Sequence, residues 1–191
     1  MIIMRAILVA GLLLHKVVWE VWKQRGSVVS RPTAPVGPVK RIMKGAKTVF
    51  LAFLVVQAAG LKVLPIPGRA SGRRCGGLIL FVVGVGMAIA GRVQLGSNWS
   101  NIEDGQVRAD QALETRGIYR IVRHPIYAGD SLLLFGLELA LNSWLVLAMF
   151  GPLIMFIRRA LAEEAMLTEA FPSYAAYRKR TWRFIPLLRK G

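Results

Sequence analysis

The stretch Asp130-Ser-Leu-Leu-Leu-Phe-Gly-Leu-Glu-Leu-Ala-Leu-Asn142-Ser143-Trp144-Leu-Val-Leu-Ala-Met-Phe-Gly-Pro-Leu-Ile-Met-Phe-Ile157 is an apolar run of 28 positions whose main interruption is Asn142-Ser143, flanked by Trp144. As one tilted helix it would put its two flanks on opposite faces of a bilayer, because about 30 Å of hydrocarbon would separate them. If the chain turns at Asn142-Ser143, the flanks meet at one face. A helix opened by Pro125 reaches 17 residues by Leu141, the short end of the spanning range, and the segment from Trp144 is long enough to return. The reading is therefore a helical hairpin over 125–170. Asp130 and Glu138 sit on its first arm, where intramembrane acids must face protein or water.

The flank before the run reads Gly117-Ile-Tyr-Arg-Ile-Val-Arg-His-Pro-Ile-Tyr-Ala-Gly129. Tyr119, Arg123, His124 and Tyr127 gather two phenols, a guanidinium and an imidazole within nine residues, a concentration of donors that suits a site. Arg, Tyr and His also collect at the headgroup level of a bilayer for solvation alone, so the segment by itself fits both readings. The other flank carries Arg158, Arg159, Glu163 and Glu164. Arg159 and Glu163 share a helix face at i,i+4, whereas Glu164 is turned about 100° away. Beyond it, Phe171-Pro-x-Tyr174-x-x-Tyr177-Arg-Lys-Arg180 has the composition of an amphipathic helix on a membrane surface.

Toward the amino terminus the pattern continues as spans and loops. Residues 1–22 are a first apolar span, with no A-x-A cleavage site. Within it His15 is expected at the membrane boundary, snorkelling beside Lys16. Residues 23–47 form a loop broken by Pro32, Pro35 and Pro38 and crowded with Lys and Arg, which the positive-inside rule places in the cytoplasm. A second span covers about 48–64, stopped by Pro65 and Pro67, and a third covers 76–95. In the third, Gly77, Gly84 and Gly91 recur every seven residues, a small-residue face that predicts close helix packing. The glycine pair Gly84-Val-Gly86 lacks a preceding strand and is not a nucleotide loop. The expected fold is all-α, a polytopic membrane bundle of about five helices. Its amino terminus is outside and its carboxyl terminus cytoplasmic.

Composition agrees. The 191 residues are 54% apolar with a net charge of +16, a combination that marks an integral membrane protein rather than a soluble domain. The basic residues fill gaps between apolar runs without interleaved stacking aromatics, which excludes a nucleic-acid groove and suits topology signals and lipid phosphates. With one cysteine, Cys75, neither a disulfide framework nor a cysteine metal cluster is available, and no metal is expected.

Three elements then stand in order: Leu95-Gly-x-Asn98-Trp99-Ser100; Gly117-x-Tyr119-x-x-x-Arg123-His124-Pro125-x-Tyr127-x-Gly129; and Arg159-x-x-x-Glu163-Glu164-x-x-Leu167-x-x-x-Phe171-x-x-Tyr174-x-x-Tyr177, closed by Arg183-x-x-Pro186. Together they resemble the isoprenylcysteine carboxyl methyltransferase family, within the wider group of membrane methyltransferases that includes the phospholipid N-methyltransferases. The resemblance covers residues 92–188, and it divides the chain into amino-terminal transmembrane helices (1–91) and a methyltransferase region (92–191). It implies S-adenosylmethionine as cofactor, held at the cytoplasmic end of a bundle of about five helices, and a lipid-like or prenylated methyl acceptor. By position it implies cofactor contacts at Gln111, Ala112, Leu113, Glu114, Tyr119, His124, Pro125, Ile126, Tyr127 and Glu163. It implies a substrate contact at Arg159, with Arg159 and Glu163 as the catalytic pair. Asp104 matches a further cofactor position at which animal members carry an amide. The short chain without targeting extensions reads as that of a prokaryotic inner-membrane protein.

Chemistry fits these roles, since a fixed acid suits the cofactor ammonium, Arg, His and Tyr donors suit its carboxylate, and Arg159 suits an acceptor carboxylate. Two other activities share parts of the pattern. A phospholipid-amine N-methyltransferase would gain nothing from Arg159, and a nicotinamide-dependent sterol-type reductase shares Arg123-His-Pro-x-Tyr but lacks the Leu95-Gly-x-Asn-Trp-Ser element. A non-enzymatic membrane scaffold would show no saturable cofactor binding.

Overall fold

The apolar runs fold as helices in a computed structural model that describes residues 1–27, 38–96 and 112–184. They are α1 (Ile2–Ser27), α2 (Pro38–Ala59), α3 (Ser71–Leu95), α4 (Pro125–Leu141), α5 (Phe150–Ala170) and the short α6 (Tyr174–Arg180). Short 3-10 segments at Gly117–Arg120 and Trp144–Met149 lead into α4 and α5. Among the described residues the only extended pairings are two isolated bridges. The segments 2–22, 71–95 and 144–170 are long and apolar enough to cross a membrane. The apolar part of α2, Gly45–Ala59, and the 17 residues of α4 are shorter, α4 reaching about 25 Å. The helical membrane bundle expected from the sequence is the fold observed.

Helices α3 and α4 form its centre, packed antiparallel through glycines. A β-carbon at Gly77 would strike the main chain of Ala140, one at Gly84 that of Leu133, and one at Gly136 that of Phe81, while Gly129 faces Gly84 and Ala88. Close main-chain approach maximises dispersion contact, which holds helices together where lipid removes any hydrophobic gain from association. Leu8 and Leu12 of α1, Leu54 and Ala58 of α2, and Leu133 and Leu137 of α4 complete the buried cluster around Phe81.

The chain does turn at Asn142-Ser143. Asn142 ends α4 in the left-handed conformation, φ 58°, which an amide side chain tolerates better than most. The turn is fastened to the loop after α2. Ile66 N donates to Asn142 O at 2.9 Å and Trp144 N to Leu64 O at 2.9 Å. The Asn142 side chain bridges Ile66 O, as donor at 2.7 Å, and Arg73 Nε, as acceptor at 2.8 Å. At the same end Arg5 of α1 donates to Gln57 O and Ala58 O at 3.1 and 3.0 Å, satisfying carbonyls at the carboxyl end of α2. The amino terminus, the loop at 60–70 and the Asn142 turn therefore share one end of the bundle. The segment 112–124, the charged end of α5 and α6 share the other.

Both intramembrane acids of α4 face protein. Glu138 is fully buried and accepts from Gln57 Nε2 of α2 at 2.9 Å. Asp130 lies 2.9 Å from His15 Nε2 of α1. His15 therefore turns inward and does not snorkel beside Lys16, which pairs instead with Glu20 one turn on. The correction has a simple cause: an imidazole within a span finds a half-buried carboxylate on a neighbouring helix, whereas a lysine reaches water.

Candidate active site

Everything polar at the second end converges on Glu164. Its carboxylate accepts from Arg123 Nε at 3.1 Å, Arg183 Nε at 3.0 Å and Arg183 Nη2 at 2.9 Å, and His124 Nε2 lies 3.2 Å from the same Oε1. The acid is 4% exposed, and a carboxylate so dehydrated persists only with such partners. Arg123, itself 4% exposed, further donates through Nη1 to Arg178 O at 2.8 Å and to the Thr181 carbonyl. This network is absent from the sequence reading, which had Glu164 turned away from the Arg159–Glu163 face. It is turned away, but into protein. The available signal was the pairing rule itself: Arg123, preceded by Ile121-Val122, and Glu164, followed by Ala165-Met166, each need an opposite charge if buried.

The tail closes over this hub. Trp182 N donates to Ile121 O at 2.9 Å, Arg123 N to Trp182 O at 2.8 Å and His124 N to Arg183 O at 3.1 Å, a short parallel pairing of residues 121–124 with 182–183. Tyr177 OH donates to Tyr119 O at 2.7 Å, and Tyr174 and Tyr177 are buried. The tail therefore differs from a free membrane-surface helix, because α6 turns its two tyrosines onto the segment 117–124. Phe184 packs on the His124 ring at 5.8 Å between centroids. Burial pushes the phenols of Tyr119, Tyr174 and Tyr177 above their ordinary range, so all three act as neutral groups. The contact with Glu164 pushes the Arg183 guanidinium upward in turn.

Around the hub, the sequence-expected residues separate into two groups. His124, Tyr127, Arg159 and Glu163 come together. His124 Nδ1 is 3.7 Å from Glu163 Oε2, whose side chain stays 37% exposed. Tyr127 stacks between His124 and Phe156 of α5, at 5.6 Å from each. The charges acting on the Tyr127 phenol are those of Glu163 and Arg159 on α5 and Asp130 on its own helix. Arg159 is half-buried and makes no hydrogen bond or ion pair among the described residues. An open acid and an uncommitted guanidinium thus stand one helical turn apart on one face of α5.

The second group is packed away. Pro125 and Ile126 are buried against Gly91 of α3, where a β-carbon would sit 3.0 Å from Pro125 Cγ. Tyr119 donates its hydroxyl to Gly91 O at 3.2 Å, and the turn that carries it is held by Ile118 N donating to Gln94 Oε1 at 3.0 Å. Ala112 and Leu113 are the exception, lying in irregular chain with Ala112 exposed and Leu113 half-buried. Glu114 is drawn to Arg116 two residues on, at 3.1 Å, which holds its carboxyl below the usual range. Gln111, Asp104, Asn98-Trp99-Ser100 and Pro186 lie outside the described residues.

An all-α bundle that buries an Arg–Glu–His cluster at one end, with three helices of membrane-spanning length, defines an integral membrane protein with a polar site at one membrane face. Residues 73–173 match the family model described as phospholipid methyltransferase, and the chain belongs to that family. Over 99 residues it is 35% identical to a protein-S-isoprenylcysteine O-methyltransferase of Schizosaccharomyces pombe, covering 50% of this chain and 42% of that one. Over 113 residues it is 32% identical to the cobalt-zinc-cadmium resistance protein CzcN of Cupriavidus metallidurans, covering 58% and 50%. The chain thus spans about half the length of the curated relatives it matches. A solved eukaryotic intramembrane Ras methyltransferase, an isoprenylcysteine carboxyl methyltransferase, has the same fold. Its TM-score is 0.55 at 18% identity, covering 85% of this chain and 60% of that one.

Proposed function

We propose that the chain is a membrane-embedded methyltransferase that uses S-adenosylmethionine to methylate a lipid-like acceptor, with the carboxylate of an isoprenylcysteine-type molecule as the leading candidate. The observation that carries the proposal is the open Glu163 beside His124, one turn from the uncommitted Arg159. The donor set fits the cofactor: Glu163 is an exposed acid for its ammonium, and His124 with the stacked Tyr127 offers donors and an aromatic face. When bound, the cofactor supplies an electrophilic methyl group, and transfer to a carboxylate needs no general base. Glu163 and His124 would hold the cofactor. Arg159 would grip the acceptor carboxylate by a two-point contact and fix its approach. Glu164, Arg123 and Arg183 hold His124 in place, and the Phe184–Tyr127–Phe156 aromatics exclude water.

Residues 92–191 would then form the catalytic region on a scaffold of helices 1–91. The Lys and Arg residues concentrated between 23 and 47 favour a cytoplasmic site. A second reading, methylation of a phospholipid amine, draws support from the description of the family model.

Titration calorimetry of S-adenosylmethionine against detergent-solubilised protein, run beside methyl transfer to N-acetyl-S-farnesylcysteine, tests the proposal. Saturable binding and methyl-ester formation are expected, and Arg159→Ala should raise the acceptor KM or lower kcat while cofactor affinity stays within about threefold. Amine methylation that survives Arg159→Ala favours the second reading. The absence of cofactor binding ends both.

A further inference from the structure

His15 of α1 and Asp130 of α4 meet at 2.9 Å inside the bundle, and the His15 ring stacks on Trp19 with centroids 4.2 Å apart. Intramembrane ionisable groups face protein or a water-filled cleft and mark functional positions by default. A pair that served only to clamp α1 to α4 would be sealed, yet these side chains keep 21% and 20% of their surface. Each also has a polar atom left over. With Nε2–H directed at Asp130 Oδ1, His15 Nδ1 and Asp130 Oδ2 are both acceptors that make no hydrogen bond among the described residues. The Asp130 end of the pair lies less than one turn along α4 from Tyr127, whose phenol feels the charges of Glu163, Arg159 and Asp130.

From this arrangement we infer that His15 and Asp130 form a second acceptor subsite, deeper in the membrane than Arg159, that recognises an N–H donor next to the reacting carboxylate. Two such acceptors suit an amide or ammonium N–H and offer nothing to a plain fatty or thioether acid. The inference rests on the methyl-transfer reading above. It assigns the choice of acceptor to α1, which lies outside the matched segment 73–173. A residue that sets specificity belongs on such an element, because the shared chemistry does not constrain it.

The test compares N-acetyl-S-farnesylcysteine, which carries an amide N–H, S-farnesylcysteine, which carries an ammonium, and S-farnesyl-3-mercaptopropionic acid, which carries neither. The readout is the ratio of kcat/KM values on one preparation, so a loss of folded protein cancels. In the unmodified protein the N–H acceptors should exceed the propionic acid by about 10- to 100-fold, the range of a hydrogen bond to a charged group. The larger of the two N–H values identifies amide or ammonium as the recognised form. Asp130→Asn and His15→Phe should each bring the acceptors within about threefold of one another. Equal turnover of the acceptors in the unmodified protein, or a ratio unmoved by either substitution, overturns the subsite alone. No methyl transfer to any of them overturns the methyltransferase reading and the subsite with it.

Discussion

His124 places Nε2 3.2 Å from Glu164 Oε1, so the imidazole is oriented by the acid that follows the one left open to a ligand. Adjacent carboxylates on one helix diverge by about 100°, and here the divergence divides their work. Glu164 enters the protein and gathers Arg123, His124 and Arg183, while Glu163 stays at the surface of the site.

Glu164→Ala should therefore act on stability, and Glu163→Gln on ligand binding. Removing Glu164 leaves Arg123 buried without its counter-charge, at a cost of about 3–5 kcal/mol, and frees the tail that Arg183 holds. The melting temperature in detergent should fall sharply. Glu163→Gln should melt within about 2 °C of the unmodified protein and bind S-adenosylmethionine roughly 10- to 150-fold more weakly. Thermal denaturation with calorimetric titration on the same samples checks both, and equal destabilisation by the two changes would sink the division of roles.

The glycine face of α3 makes a paired prediction with its own control. A β-carbon at Gly84 meets the main chain of Leu133 and the Gly129 carbonyl, whereas one at Gly86 meets nothing within 4 Å. Gly84→Ala should force α3 and α4 apart and cost about 1–3 kcal/mol. Gly86→Ala should be neutral or slightly stabilising through helix propensity. Because α4 carries His124 and Tyr127 at its start, Gly84→Ala should also weaken cofactor binding. Equal melting of the two variants would remove the glycine contact as the centre of the fold.

What could be read in the sequence was written locally. The Asn142 turn, the seven-residue glycine spacing and the Arg123-His124-Pro125-x-Tyr127 element each lie within one or two helical turns, where periodicity and residue chemistry determine the outcome. The pairings that escaped it join residues far apart: Arg123 with Glu164 across 41 positions, Arg73 with Asn142 across 69 and His15 with Asp130 across 115. For these the sequence states that a buried charge needs a partner, and the packing of the helices selects which. Tyr119 illustrates the same limit, since nothing in its motif says that its hydroxyl turns back onto Gly91 O.

The end-to-end arrangement makes the last prediction, one of sidedness. Cys75 opens α3 and is exposed. It lies at the end that holds the Asn142 turn, where Trp144 is 48% exposed, and Lys179 is exposed on α6 at the other end. On the proposed topology, the Lys and Arg residues concentrated between 23 and 47 put the α6 end in the cytoplasm by the positive-inside rule. A membrane-impermeant maleimide applied to intact cells should therefore label native Cys75, and it should label Trp144→Cys in a Cys75→Ser background. Lys179→Cys in that background should react only after the membrane is opened. Labelling of Lys179→Cys from outside, with Cys75 protected, would invert the protein and turn Glu163 away from the cytoplasmic supply of cofactor. Labelling of Trp144→Cys and Lys179→Cys from the same side would place the two ends of α5 on one face, which a spanning helix of this length cannot do.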